Sequence, residues 1–148
     1  MTLFPDVDQA IQFFVDAAPV AQPRQRHAVR NGISMSYIPK EHPIHAFKTL
    51  VRIRAKEAYK GPPLKGPLIA CFVFLLPRPA RLVWKTRAMP RTWAAGRPDA
   101  DNFCKAVLDA MTGLVFEDDS QVVELRAQKF YASGDEAPGV HVFVKEVA

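Results

Sequence analysis

The chain has 148 residues, 49% of them hydrophobic and 24% charged, with a formal net charge of +5, a composition that suits one soluble globular domain. The longest apolar run, 68–76, lies between Pro67 and Pro77 and falls far short of the roughly 20 apolar residues a membrane span needs. The start, MTLFPDVDQAIQFF, carries acids where a secretory leader has bases, so a reducing cytoplasmic location is expected, with Cys71 and Cys104 as free buried thiols.

Residues 1–10 read as a frayed or helical lead-in, and 11–21 as a first strand ending at Pro19. QPRQRHAVRNG then reads as a polar, basic loop, and ISMSYI as a short strand stopped by Pro39. From Pro43 to Tyr59 the spacing of Phe47, Leu50, Val51 and Ala58 predicts a helix, closed by the GPP that follows. Its Lys48, Arg52, Lys56 and Lys60 form a basic stripe suited to solvent or to phosphates. His42 and His45 have no nearby cysteine to complete a zinc site and are assigned to a loop. The apolar run 68–76 predicts a buried strand. The long segment after it is rich in proline and arginine, with Trp84 and Trp93 interleaved. Connections of that length tend to be functional, and its tryptophans suit either base stacking or the core. A helix over about 102–112 stopped by Gly113, and strands near 121–131 and 139–146, complete the chain.

Charge is segregated along this order. Between Ala58 and Pro98 there is no acid, while Lys60, Lys65, Arg78, Arg81, Lys85, Arg87, Arg91 and Arg97 are basic. From Asp99 to Glu136 the acids are Asp99, Asp101, Asp109, Glu117, Asp118, Asp119, Glu124, Asp135 and Glu136, against Lys105, Arg126 and Lys129. Either run alone is an ordinary solvated face. Together they are what a nuclease requires, cations for backbone phosphates and carboxylates for a metal.

The acidic part centres on RPDADNFCKAVLDAM, residues 97–111. In extended backbone Asp99 and Asp101 project to one side, and Asp101 occupies the expected N-cap, where a carboxylate meets free N–H groups and the positive end of the helix dipole. Capping accounts for Asp101 but not for Asp99. On the helix, Phe103, Ala106, Val107, Ala110, Met111 and Leu114 share one face and Asn102, Lys105 and Asp109 the other. Lys105, one turn after Asp101, reaches the same region. FEDDSQVV supplies the next acids, and because successive strand residues point opposite ways, one of Asp118 and Asp119 is expected to be a direct ligand.

The stretch RPDADNFCKAVLDAMTGLVFEDDSQVVELRAQK resembles the signature of RusA-type Holliday-junction resolvases: P-D-x-D-N-x-x-K, a D-A pair, D-D-x-Q-V, then a basic residue on the following strand. PVAQPRQR, SYIPKEH and the PRP after the buried strand are similar to phage-type members. The resemblance implies an α+β fold, one RusA-like endonuclease domain over residues 1–148 with a mixed β-sheet packed against two main helices. It further implies a cytoplasmic, homodimeric, Mg²⁺-dependent endodeoxyribonuclease, often prophage-encoded, that cuts four-way junction DNA by paired symmetric nicks in recombination and repair, with Mn²⁺ able to substitute. Carried over by residue, Asp99, Asp101 and Asp119 match the metal-binding catalytic positions, Lys105 the essential lysine, and Asp118 a secondary acidic position. Arg24, Arg26, Arg78, Arg81, Lys85, Arg87 and Arg91 are the expected DNA contacts. The restriction-type P-D…(D/E)-x-K core is excluded, since no acid-x-Lys triplet follows Asp99. The competing expectation is a non-cleaving junction-binding module, a degenerate resolvase.

Overall fold

A computed structural model describes residues 9–147; the expected lead-in, apart from its last two residues, lies outside them. The apolar run becomes β4 (Leu68–Leu76), the middle of a five-stranded sheet. It lies antiparallel to β7 (Gly139–Glu146) and parallel to β6 (Val122–Tyr131). A strand with neighbours on both edges and side chains buried on both faces has no wet side, which is why its sequence does not alternate. β1 (Ile11–Val15) extends the sheet beyond β7, and the two-residue β5 (Thr92–Trp93) extends it beyond β6. The result is a mixed sheet in an α+β domain with two main helices among the described residues, the architecture anticipated above.

Helices α1 (Ile44–Ala58) and α2 (Ala100–Met111) pack together on one sheet face. Leu68, Ala70, Phe72 and Phe74 of β4 meet Ile44, Phe47, Val51 and Ala55 of α1 and Phe103, Val107 and Met111 of α2 in one core. The Phe74 and Phe103 rings stack at 5.2 Å. The apolar face of α2 is as expected, widened by Cys104 and Leu108. In α1 the inward position is Ala55, whereas Ala58 is exposed. On the opposite sheet face Val73 and Leu75 pack with Phe130 and Ala132.

Five further sequence expectations are corrected. The first strand, expected over 11–21, ends at Val15. The segment assigned to a basic loop contains β2 (Arg26–Arg30), paired with β3 (Ile33–Tyr37) in a separate hairpin. Its turn residues Asn31 and Gly32 take φ values of 53° and 75°, the left-handed pair that a two-residue hairpin turn demands. His45 belongs to α1 rather than to a loop. The α1 stripe is neither wholly solvated nor wholly free: Lys48 pairs with Asp109 at 2.7 Å, and Arg52 donates to the Ala110 carbonyl at 2.9 Å, satisfying an acceptor at the end of α2. Finally, α2 begins earlier than expected, and Asp99, not Asp101, is its N-cap residue.

His141 leaves β7 on the sheet face away from the helices and lies against the Phe14 ring at 4.7 Å. Burial, aided by the charge of Arg91 and opposed by Glu136, lowers its pKa below the ordinary 6.5. The unfolded imidazole thus takes up a proton at a pH where the folded one resists it. Its contribution to stability is complete above about 6.5 and declines as pH falls toward the folded value. His141→Phe should therefore lose less melting temperature than the parent between about pH 7.5 and about pH 5.5. Equal losses would show that His141 does not drive that part of the pH dependence.

Candidate active site

The segment entering α2 is held from β6. The parallel register sets Lys129 beside Phe74, on the helix-bearing face, and its ammonium donates to the carbonyls of Gly96 at 2.5 Å and Pro98 at 2.6 Å. These acceptors flank the cis Arg97–Pro98 peptide and immediately precede Asp99. Asp99 is extended, at φ −71° and ψ 148°; its carbonyl accepts from the Phe103 N–H, while its carboxylate makes no capping bond. Asp101 sits in the first turn of α2, exposed, with Lys105 one turn further on and also exposed. The two make no ion pair.

The other acids are positioned by a second device. After α2, Gly113 turns the chain at φ 82°, and the backbone of 115–117 joins Leu64. Asp118 then caps the short 3-10 turn Asp119–Gln121: its carboxylate accepts from Ser120 N–H at 3.1 Å, and its own N–H donates to Gln121 Oε1 at 2.8 Å. The Gln121 amide donates in turn to the Leu64 and Gly66 carbonyls. The Ser120 hydrogen bonds hold the Asp118 carboxyl below the usual carboxylate range. Within the D-D-x-Q element, Asp118 and Gln121 thus build the turn, and Asp119 presents an exposed carboxylate.

Partnering separates the acids. Asp109 pairs with Lys48, Glu124 with Arg126 and Glu136 with Arg91, and Glu117 lies 4.0 Å from Lys65, while Asp118 and Asp135 accept from Ser120 and Ser133. The remaining three of the acids named above, Asp99, Asp101 and Asp119, accept no side-chain hydrogen bond and join no ion pair among the described residues. Among those residues no three His, Cys, Asp or Glu side chains are gathered closely enough to hold a metal ion. The free carboxylates nevertheless suit a hard cation chemically, because Mg²⁺ keeps several waters and takes substrate phosphate oxygens beside one or two carboxylates.

Asp99 also lines a cleft of about 550 Å³ with Gln22, Arg24, His42, Arg97, Pro98 and Asn102. The Gln22 N–H donates to the Asn102 carbonyl at 3.0 Å, docking the chain before β2 onto α2. Gln22 Oε1 is buried there without a partner.

The other candidate cations divide by placement. Arg24, Arg26, Arg81, Lys85 and Arg87 are exposed. Arg78 points inward, donating to the Leu82, Pro90 and Ala132 carbonyls, and Arg91 pairs with Glu136 at 3.0 Å, so both tie the long loop together. Neither tryptophan is in the core: Trp84 carries the Arg87 guanidinium at 3.8 Å, and Trp93, 63% exposed, stacks on Phe130 at 4.3 Å. Burial pushes the thiol of Cys71 up to about 12, with Arg126 opposing, and that of Cys104 up to about 11, with help from the Asp101 charge. Both remain inert buried thiols.

Sequence reasoning left Lys129 without a role, although the basic residue ending the D-D-x-Q-V pattern was its signal. Lys129→Met should lower the melting temperature by about 3–12 °C, since hydrogen bonds to a charged group contribute about 1.5–3 kcal/mol and a domain of this size loses about 2–4 °C per kcal/mol. Lys129→Arg should recover part of that loss. A methionine variant that melts with the parent would make the two carbonyl contacts incidental.

Unpartnered carboxylates at a helix start and on the turn that follows that helix, in a chain with acid-free basic segments, suit a metal-assisted phosphodiesterase. The model of the family Endodeoxyribonuclease RusA matches residues 16–145. The chain is also 33% identical over 144 residues to the uncharacterized protein YqaN of Bacillus subtilis (strain 168), covering 93% of this chain and 97% of that protein. This chain belongs to the RusA endodeoxyribonuclease family, whose resolvases use a divalent metal and act on junction DNA. No helix among the described residues is long and apolar enough to cross a membrane.

Proposed function

We propose that this protein is a Holliday-junction resolvase, acting as one cytoplasmic RusA-like domain that pairs as a homodimer and cuts four-way DNA by two symmetric nicks during recombination and repair. A prophage origin fits the phage-type segments around the motif. The observation that carries the reading is the partner accounting within the acidic segment 99–136: the three acids left free there are the three that match the family's metal positions, and Glu41, far from the motif in sequence, is the one other unpartnered acid among the described residues. Three exposed carboxylates without partners repel the phosphate backbone unless a cation lies between.

Asp99, Asp101 and Asp119 would hold Mg²⁺, or Mn²⁺ in its place. Bound there, the cation supplies Lewis acidity toward the phosphoryl group undergoing hydrolysis. Lys105 offsets negative charge growing on the scissile phosphate. Asp118 and Gln121 hold the turn that presents Asp119, and Lys129 holds the segment that presents Asp99. Arg24, Arg26, Arg81, Lys85 and Arg87 contact backbone phosphates, which positions the arms without reading sequence. A two-fold substrate that needs two opposed cuts matches a closed two-fold dimer.

The test is incubation of an end-labelled synthetic four-way junction and a matched linear duplex with the protein in Mg²⁺ and in EDTA. Paired nicks across the junction, in Mg²⁺ only, are expected. A mobility shift without nicks would identify a non-cleaving binding module instead. Light scattering that gives a monomer both with and without junction DNA would remove the dimer.

A further inference from the structure

The β2–β3 hairpin stands away from the sheet, with every residue of both strands exposed except the half-buried Ala28. Its register places Arg26 opposite Tyr37, Ala28 opposite Met35 and Arg30 opposite Ile33. Residues paired across an antiparallel ladder share a side, and alternate residues share it too. One face therefore carries Ile33, Met35 and Tyr37, at 65%, 47% and 44% exposure, with two guanidiniums across from them. The other face carries His27, Val29, Ser34 and Ser36, with Val29 76% exposed as its single large apolar side chain, and there Ser36 Oγ hydrogen-bonds His27 Nδ1 at 2.9 Å. A two-stranded ribbon is marginal on its own in water, so an exposed apolar row along it calls for something to cover it.

Charge indicates the cover. Between Asp16 and Glu41 the chain has no acid and contains Arg24, Arg26, Arg30 and Lys40. Among the described residues a second copy of this chain offers Arg26 and Arg30 one unpartnered acid outside the candidate site, Glu41, whereas DNA offers a phosphate at every step. DNA offers phosphates beside flat apolar base faces, and its major groove admits a two-stranded ribbon. The hairpin is also rooted at the cleft: Gln22 and Arg24 before β2, and His42 after β3, line it together with Asp99.

We propose that the β2–β3 hairpin is a branch-point arm, with Arg26 and Arg30 on backbone phosphates and Ile33, Met35 and Tyr37 against bases exposed where the duplex arms part. This rests on the junction-DNA reading above. The test uses the full chain with Ca²⁺ replacing Mg²⁺, a junction carrying 2-aminopurine at its branch, and a linear duplex of the same sequence. Met35→Ser/Tyr37→Ser should weaken junction binding about fivefold or more, the scale of losing a base stack. It should leave duplex affinity nearly unchanged and abolish the fluorescence rise at the branch. Arg26→Gln/Arg30→Gln should weaken both substrates and lower the salt slope by about two. Unchanged junction affinity and unchanged fluorescence in the Met35/Tyr37 variant would overturn the arm while leaving the resolvase reading intact. Conversion of that variant from dimer to monomer would assign the hairpin to a second copy instead. A parent protein that does not prefer the junction to the duplex would sink both readings.

Discussion

Asp101→Asn should leave junction binding within about threefold of the parent and lower the single-turnover cleavage rate by about two to three orders of magnitude, the range seen when one preorganised electrostatic contact to a reacting centre is removed. The side chain is exposed in the first turn of α2 and has no partner among the described residues, so the near-isosteric amide disturbs no packing and no hydrogen bond. What it removes is charge. Part of that charge favours the helix dipole, worth about 0.3–1 kcal/mol at an exposed terminus, far too little to unfold the domain or to account for such a loss of rate. Asp109→Asn provides the contrast, because Asp109 lies on the polar face of the same helix but is paired with Lys48 of α1 at 2.7 Å. Removing that pair should cost stability on the order of 0.2–1 kcal/mol and little activity. Similar losses of rate at both positions would point to a diffuse loss of negative charge. Cleavage by Asp101→Asn at the parent's rate would withdraw it from the ligand set.

The readable parts of this fold are those written in local periodicity. β4 announces itself by a run of apolar residues with no alternation, and α2 by an apolar stripe that the structure buries nearly residue for residue. The hairpin carried its own signal, Asn31-Gly32 between two short runs, but Arg26 and Arg30 made the first run resemble a loop. The α2 cap shifted because the carboxylates at 99 and 101 are equally suitable for a helix start, and only the backbone shows that Asp99 is the extended residue. Long-range partners leave no local trace. Nothing near Lys48 or Arg52 says that they bind α2, and nothing near Lys129 says that it fastens a segment some thirty residues earlier, through the carbonyls of Gly96 and Pro98. Of the candidate site, the acids and Lys105 stand out in the sequence as a spaced motif. The difference in partnering between Asp118 and Asp119 does not, since it depends on how the turn closes on Gln121 and on the 64–66 backbone.

Mn²⁺ should raise the melting temperature of the parent by about 5–10 °C when present at about a hundred times its dissociation constant. A ligand that binds only the folded state contributes about 2.7 kcal/mol under those conditions, and a domain of this size gains about 2–4 °C per kcal/mol. Asp99→Asn should abolish most of that gain. In EDTA the same variant should melt close to the parent's temperature. Asp99 makes no side-chain capping bond, and asparagine is as good an N-cap as aspartate, so no hydrogen bond is forfeited. The lost dipole interaction is worth only about 0.3–1 kcal/mol at an exposed terminus. Asp118→Ala should behave in the opposite way: its carboxylate is the cap of the 3-10 turn, so the variant should melt lower in EDTA and still respond to Mn²⁺. This crossed pattern distinguishes metal-holding from turn-building acids without any measurement of cleavage. An Asp99→Asn protein that melts below the parent in EDTA and still gains the full increment from Mn²⁺ would make Asp99 a structural residue and place the cation elsewhere.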